Sequence, residues 1–430
     1  MSTVRKNIAF LYILQGVAYV VPLVTLPYLS RVLGVEHFGL FGIAFGVVSV
    51  MTLITDWGFF LTATQQVARH SNDPEILRRI LWDTYWARLG LGAMSFLGLG
   101  IVMAVVPSIG GLGVVMLAAA VQVLTSMLSV GWFLQGLERM GALVIASIAG
   151  RVLSIPLLIL FVRQPSDVAL ATLIPGLCNF IPAAVSLYIA GRFVPLFPVR
   201  FDVLGMWRQL RTGAQLFLTM SAVSLYTQST VLILSALSAT SEVGLYHGAD
   251  RIRRAVQTLT IGPISTALFP RINNLLERDR LAARQLMWRM LIGQGGGTFV
   301  LSVIMYVSAP WAVPLALGQT FSAAVPVVQW FAPILFLVGL NNVLGVNVML
   351  PLGMKSEVTA IVTASAAINL VAMVLLCPTH GAVGAAISAT LTETFVTAAM
   401  GVVVFRRSGY RWYHIQLAAV RRLWTRGRTG

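Results

Sequence analysis

The sequence predicts an all-α polytopic membrane protein with twelve transmembrane helices in two six-helix bundles. Three observations predict it. First, the 430 residues are 57% hydrophobic and only 10% charged, where a soluble domain carries about 25% charged residues. Second, the apolar residues run on continuously for the ~20 positions that cross a hydrocarbon core. They lack the alternation of a β-barrel, and a spanning backbone has no option besides barrel and helix. Third, the basic residues sort almost completely to one side of the predicted helices.

Taken in order, Arg5 and Lys6 precede an apolar run over 7–28. It is too long for a signal-peptide core and shows no clear small-residue cleavage site, so it is expected to be the first span. The runs that follow are 39–66, 81–106, 112–135, 141–162, 168–191, 213–236, 243–270, 288–308, 324–350, 357–377 and 381–405. With both termini cytoplasmic, 23 basic residues fall on the inner side and only Arg31 and Arg163 on the outer side. That is the bias the positive-inside rule requires. The excess of positive charge, +16 overall and nearly all arginine, therefore reflects topology, and no nucleic-acid partner is expected.

The predicted organisation is a first six-helix lobe over 1–191, a cytoplasmic linker over 192–212, a second lobe over 213–405 and a basic cytoplasmic tail over 406–430. The linker stretch 202-DVLGMWRQLR-211 reads as an amphipathic helix on the inner leaflet. The tail, rich in arginine and aromatics, reads as an anchor to anionic membrane lipid. A short repeat supports two parallel lobes: 38-FGLFGIA-44 returns as 243-VGLYHGA-249, 205 residues on.

Several chemistries are missing from the sequence. There is no GxxxxGK[ST] loop for nucleotide, and no HExxH or CxxC. Cys178 and Cys377 lie in apolar runs and suggest neither a disulfide framework nor a metal site. The run 293-GQGGG-297 sits inside a span, where glycine serves close helix packing. No large outer loop exists to house glycan-assembly chemistry. No cofactor, metal or catalytic residue is expected, and the chain is read as a non-enzyme.

Eight ionisable residues fall inside spans instead: Arg88, Arg151, Arg251, Arg253, Arg254, Asp56, Asp250 and Glu393. Each costs about 2.5–3.5 kcal/mol at a helix centre, so such groups face a wet cavity or pair with one another. Asp250 shares a helix face with Arg253 and Arg254, three and four residues on, and Gln257 continues that face. One arginine suffices to neutralise Asp250, which leaves positive charge over. Asp56 and Glu393 either pair with an arginine or titrate as ion-coupling groups. The set is net positive, and arginine suits bidentate phosphate binding. An anionic substrate, a phosphate or diphosphate, is expected. Tyr12, Gln15 and Tyr19 share a face of the first span, Tyr226 and Gln228 lie in the seventh, and Asn341, Asn342 and Asn347 in the tenth. Tyrosine faces and amides suit sugars.

Four stretches carry a family resemblance: 26-LPYLSRVLGVEHFGLF-41, 55-TDWGFFLTATQQVARH-70, 241-SEVGLYHGADRIRRAVQTLTIGPISTALFPRI-272 and 349-MLPLGMKSE-357. In order and spacing the chain resembles the Wzx-type polysaccharide transporters of O-antigen and capsule synthesis. These sit in the wider flippase superfamily that includes multidrug and toxin extrusion (MATE) transporters and lipid II flippases. The resemblance implies a MATE-like fold, two six-helix bundles around a central cavity in the bacterial inner membrane. It also implies that an undecaprenyl-diphosphate-linked oligosaccharide crosses from inner to outer leaflet by alternating access, with a glycan polymerase or chain-length complex as a candidate partner. The chain departs from the lipid II flippases, which carry arginines in the first span and usually two extra helices. The alternative is a drug or cation antiporter of the same superfold, whose cavity should be acidic.

Overall fold

Lipid offers the peptide group no hydrogen-bond partner, so a chain this apolar must satisfy its backbone within helices. In the computed structural model the described residues are helical with short connections, and no strand occurs among them. The structure describes residues 2–105, 112–197, 199, 201–228, 230–260 and 262–407; the side chains of 2–20, 22, 23, 105, 219, 220, 222–228, 259, 260 and 262–267 lie outside that description. In chain order the helices are α1 (Ser2–Asp56), α2 (Phe59–Arg69), α3 (Pro74–Val105), α4 (Gly113–Leu128), α5 (Gly131–Gly136), α6 (Gly141–Phe161), α7 (Val168–Cys178) and α8 (Phe180–Ala190). They continue as α9 (Val203–Gln228), α10 (Thr230–Leu237), α11 (Thr240–Thr260), α12 (Gly262–Arg278), α13 (Arg280–Leu317), α14 (Val325–Asn341) and α15 (Lys355–Arg407), with a π-helical stretch at Asn342–Met349. Among the described residues, eight helical stretches are long and apolar enough to cross a bilayer. The fold is thus an all-helical polytopic membrane protein.

Two helices are far longer than one crossing. A 55-residue helix reaches about 80 Å against a ~30 Å hydrocarbon core. Each is broken at one glycine. Gly34 (φ 67°) interrupts α1 and Gly381 (φ 52°) interrupts α15, conformations that a Cβ disfavours. Pro378, three residues before Gly381, removes a further helical N–H.

The expected second span, 39–66, is broken as well. Trp57 (φ 43°) and Gly58 (φ 79°) end α1 and start α2. The indole Nε1 of Trp57 donates to the Leu210 carbonyl at 2.9 Å, and its ring stacks on Phe217 at 4.0 Å. Gly213 lets α9 come this close, since a Cβ there would lie 2.6 Å from the Trp57 carbonyl oxygen. The stretch 202–211, expected as an amphipathic helix on the inner leaflet, is helical from Val203 and continues unbroken within α9 into the apolar run 213–236. Asp202 starts it by accepting from the Leu204 and Gly205 amides.

The chain packs as two compact units, Met1–Gly248 with Ala312–Ala324, and Ala249–Trp311 with Val325–Gly430. The first holds a core of Phe59, Val67, Leu81, Phe133 and Leu134; the second holds one of Ile272, Met287, Val343, Met349 and Met400. In both, large apolar residues also face outward in continuous patches, Met94, Leu97 and Leu117 in the first and Phe299, Val303 and Leu375 in the second. Such faces are what lipid-exposed helices require.

Gly58→Ala should lower stability by about 1–2 kcal/mol, because Gly58 has a left-handed backbone and its Cβ would sit 3.2 Å from the Leu216 side chain. Thermal unfolding of the detergent-solubilised protein checks this as a lower Tm.

Candidate functional site

In the second unit, α11 sets a carboxylate between two guanidinium groups. Arg253 Nε donates to Asp250 Oδ1 at 3.0 Å and Arg254 Nε donates to Oδ2 at 2.6 Å. Arg253 also donates to Gln257 and lies 5.4 Å from the centre of the Phe331 ring on α14, a cation–π contact. The i, i+3 and i, i+4 spacing read from the sequence is realised, but both arginines bind Asp250 where one was expected to suffice. The triplet does not point uniformly outward: the Asp250 side chain is 9% exposed and that of Arg253 14%, whereas Arg254 keeps 41%. Arg251 is half-buried on the same helix.

Glu393 joins this cluster from α15. It accepts a hydrogen bond from Asn341 Nδ2 at 2.7 Å and lies in the field of Arg253. Asn341 is the last residue of α14 before the π-helical stretch, in which Asn347 is fully buried and donates to the Asn342 carbonyl. Three guanidinium groups and two carboxylates therefore share this region of the unit.

In the first unit, Arg88 on α3 is 4% exposed. It donates to the carbonyls of Ser129 (2.7 Å) and Ser126 (3.0 Å) and lies 3.4 Å from Asp56. Those carbonyls lie at the C-terminal end of α4, where the apolar run 112–135 breaks, and the Ser126 carbonyl also accepts from the Ser129 amide; Ser186 Oγ accepts from the Val130 amide on the far side of the break. A cation at a helix C-terminus is favourable, and lipid leaves no alternative partner for the carbonyls. These protein partners account for the burial of Arg88 without a ligand. Arg151 is the opposite case. It lies midway along α6, exposed, and among the described residues its guanidinium makes no hydrogen bond or ion pair.

The side chains of Tyr12, Gln15, Tyr19 and Tyr226 lie outside the described residues. Two polar residues escaped the sequence reading. Asp83, 3% exposed, lies at the very start of the third run and packs where a Gly205 Cβ would meet its carboxylate at 2.3 Å. Gln294, 4% exposed with neither amide atom hydrogen-bonded, lies inside the glycine run taken as packing. Gly295 does pack closely, its Cβ position 2.9 Å from Leu340, but Gly293, Gly296 and Gly297 face open space. Among the described residues no three His, Cys, Asp or Glu side chains are placed to hold a metal.

An all-helical fold with charged residues buried between its spans is the architecture of a membrane transporter, and solved structures share it. The lipid II flippase MurJ in an inward closed conformation superposes with a TM-score of 0.71 over 92% of this chain and 87% of its own, at 11% identity. An inward-facing multidrug resistance MATE family transporter of the MOP superfamily gives 0.68 over 94% and 96%, at 14% identity.

The chain belongs to the polysaccharide biosynthesis protein family, whose model matches residues 4–276. It is similar to an Escherichia coli K12 protein named "Putative O-antigen transporter", 32% identical over 93% of this chain and 96% of the relative. A Shigella dysenteriae protein of the same name is 26% identical over 91% and 98%.

Removing Arg88 and removing Arg151 should have opposite consequences for stability. Arg88→Ala leaves the Ser129 carbonyl without its Arg88 donor, removes the cation beside Asp56, and should cost about 2 kcal/mol. Arg151→Ala removes no hydrogen bond or ion pair to a described residue and should stay within about 0.5 kcal/mol of the wild type. Thermal unfolding of the two variants side by side in one detergent checks both.

Proposed function

We propose that this protein carries an undecaprenyl-diphosphate-linked oligosaccharide, a surface-polysaccharide repeat unit, from the inner to the outer leaflet of the bacterial cytoplasmic membrane by alternating access. Family membership and the relatives named for O-antigen transport support the cargo class. The observation that carries the reading is Arg151. A permanently charged guanidinium in mid-span, exposed and without a protein partner, is costly unless something anionic meets it. A diphosphate passing through a wet cavity is such a partner, and the planar guanidinium suits it.

In this reading Arg151, Arg251, Arg253 and Arg254 line the path of the headgroup, with Asp250 positioning the last two. Arg88 contributes positive field near the path while holding the α4 end. Tyr12, Gln15, Tyr19 and Tyr226 offer ring faces and an amide to the glycan. Asp56 and Glu393 are the groups available for ion coupling. Membrane lipids surround the helices, and a glycan polymerase or chain-length complex receives the product.

The proposed topology is twelve spans in two six-helix lobes, 1–191 and 213–405, around a central cavity, with linker 192–212, tail 406–430 and both termini cytoplasmic. It is supported by the glycine breaks, which divide each of two long stretches into two crossings. It is also supported by α9–α10 and α11–α12, which occupy the positions of the seventh and eighth spans; α11 owes its low apolarity to the charges from Asp250 to Arg254.

The alternative, a drug or cation antiporter, needs an acidic residue open to a cation. Asp250 is held by two arginines and Glu393 by Asn341, while Asp56, 43% exposed, lies 3.4 Å from Arg88, so the in-span set stays net positive. The sign of the region therefore favours the anion.

Expressed at low level in a strain lacking its own flippase, Arg151→Ala and Arg254→Ala should each lower surface glycan about tenfold or more, the effect of losing one charge-assisted contact. Lysine at either position should restore only part of it, because it cannot bind bidentately. Immunoblotting of surface polysaccharide at matched protein level measures this; wild-type glycan from both alanine variants contradicts the reading.

A further inference from the structure

The repeated stretches meet within the first compact unit, 38–44 against 243–248. Gly39 and Gly244, 205 residues apart, cross backbone to backbone. A Cβ on Gly39 would lie 2.1 Å from the Thr240 carbonyl oxygen and 3.0 Å from the Gly244 nitrogen. A Cβ on Gly244 would lie 2.0 Å from the Val35 carbonyl oxygen and 3.1 Å from the Gly39 nitrogen. Val35 and Thr240 are themselves 205 residues apart, so the contact is reciprocal, as a local two-fold axis through the crossing demands. No side chain interdigitates there. Two glycines let two helices approach to backbone contact.

The next pair in the repeat breaks the symmetry. Where α1 has Gly42, α11 has His247, and the imidazole fills the space that Gly42 leaves: a Cβ at 42 would meet its Cγ at 2.9 Å. The His247 ring lies 5.4 Å from Phe38, 6.0 Å from Phe41 and 5.9 Å from Phe45, and the residue is 3% exposed. A second segment of the same half of the chain joins this plug. Phe321, fully buried, sets its ring edge-on to Phe38 at 5.6 Å, and Arg31 donates to the Leu315 carbonyl at 2.6 Å. Segments 240–248 and 312–324 thus pack on 31–45, although in sequence they belong with the later spans.

The charge pattern puts the 29–38 and 309–323 connections on the outer side, the side with only two basic residues. A cargo released to the outer leaflet must pass this place. We propose that the Gly39–Gly244 crossing, plugged by His247 among Phe38, Phe41 and Phe45, is the outer gate, and that release requires 240–248 and 312–324 to part from 31–45. The proposal rests on the flippase reading, since only transport across the membrane requires the contact to open. A glycine crossing suits a gate. The glycines close to backbone contact because nothing projects from them, and opening requires the His247 ring to leave the three phenylalanines.

Two measurements test it in a Cys178→Ala/Cys377→Ala background. The first is an oxidative cross-link of the pair Gly42→Cys and His247→Cys. An ideal Cβ at 42 lies 3.0 Å from the His247 Cβ. Disulfides need about 3.5–4.5 Å, so the pair bridges after a small shift. In spheroplasts the cross-linked protein should lose delivery of labelled lipid-linked oligosaccharide to the outer leaflet and regain it on reduction. Delivery at the uncross-linked rate while bridged overturns the gate and leaves the flippase reading intact. The second needs no transport. His247→Cys alone should resist a membrane-impermeant maleimide. Adding Gly39→Ala, which drives a methyl into the Thr240 carbonyl, should raise labelling about tenfold or more by populating the open form. Unchanged protection overturns the gate even if the cross-linked pair fails to fold. Failure of the unmodified protein to move the oligosaccharide, with both gate signatures present, instead sinks the flippase reading.

Discussion

A chain crossing lipid must pair every peptide group and every charge with its own atoms, and this constraint shapes the rest of the structure. Where a helix is continuous the pairing is automatic. Where it breaks, donors and acceptors are freed with no water to take them. At the α4–α5 break the structure meets them with side chains from distant elements. Arg88 takes the carbonyls that α4 leaves at Ser126 and Ser129, and Ser186 takes the Val130 amide. At the α1–α2 break, Trp57 turns outward to hold the Leu210 carbonyl of α9. These polar contacts tie helices together more specifically than apolar packing does, because lipid competes for apolar surface but not for hydrogen bonds.

The same constraint separates structural charge from functional charge. Asp250 is held by two arginines and Glu393 by Asn341, so neither carboxylate stands bare. Arg88 is absorbed by a helix end. Arg151 has no such explanation, and Arg254 keeps much of its side chain open. The surplus left after the protein's own pairing is positive. A transporter with that surplus is suited to a phosphate-bearing cargo.

Much of this was legible in the sequence because it is local. Continuous apolar runs read as helices, and the described residues are helical. Asp250 with Arg253 and Arg254 follows from helical spacing alone. The repeat at 38–44 and 243–249 was also legible, and the structure brings its glycines face to face. The illegible parts are the non-local ones. Nothing near Arg88 in sequence announces carbonyls 38 and 41 residues away. Asn341 and Glu393 are 52 residues apart. The break at Trp57 lies within an unbroken apolar run, and its cause, the fit against Gly213 and Phe217, belongs to another helix. The linker read as a separate surface helix because its charge differs from the span that follows, yet no residue between them stops the helix.

The most direct test of the central claim is the leaflet distribution of lipid-linked oligosaccharide in a strain deleted for this gene, with and without the cloned chain. The account predicts that the intermediate accumulates on the inner leaflet in the deletion strain and that the clone returns it to the outer leaflet together with surface polysaccharide. An unchanged distribution in the deletion strain, in the absence of any second flippase, would contradict it.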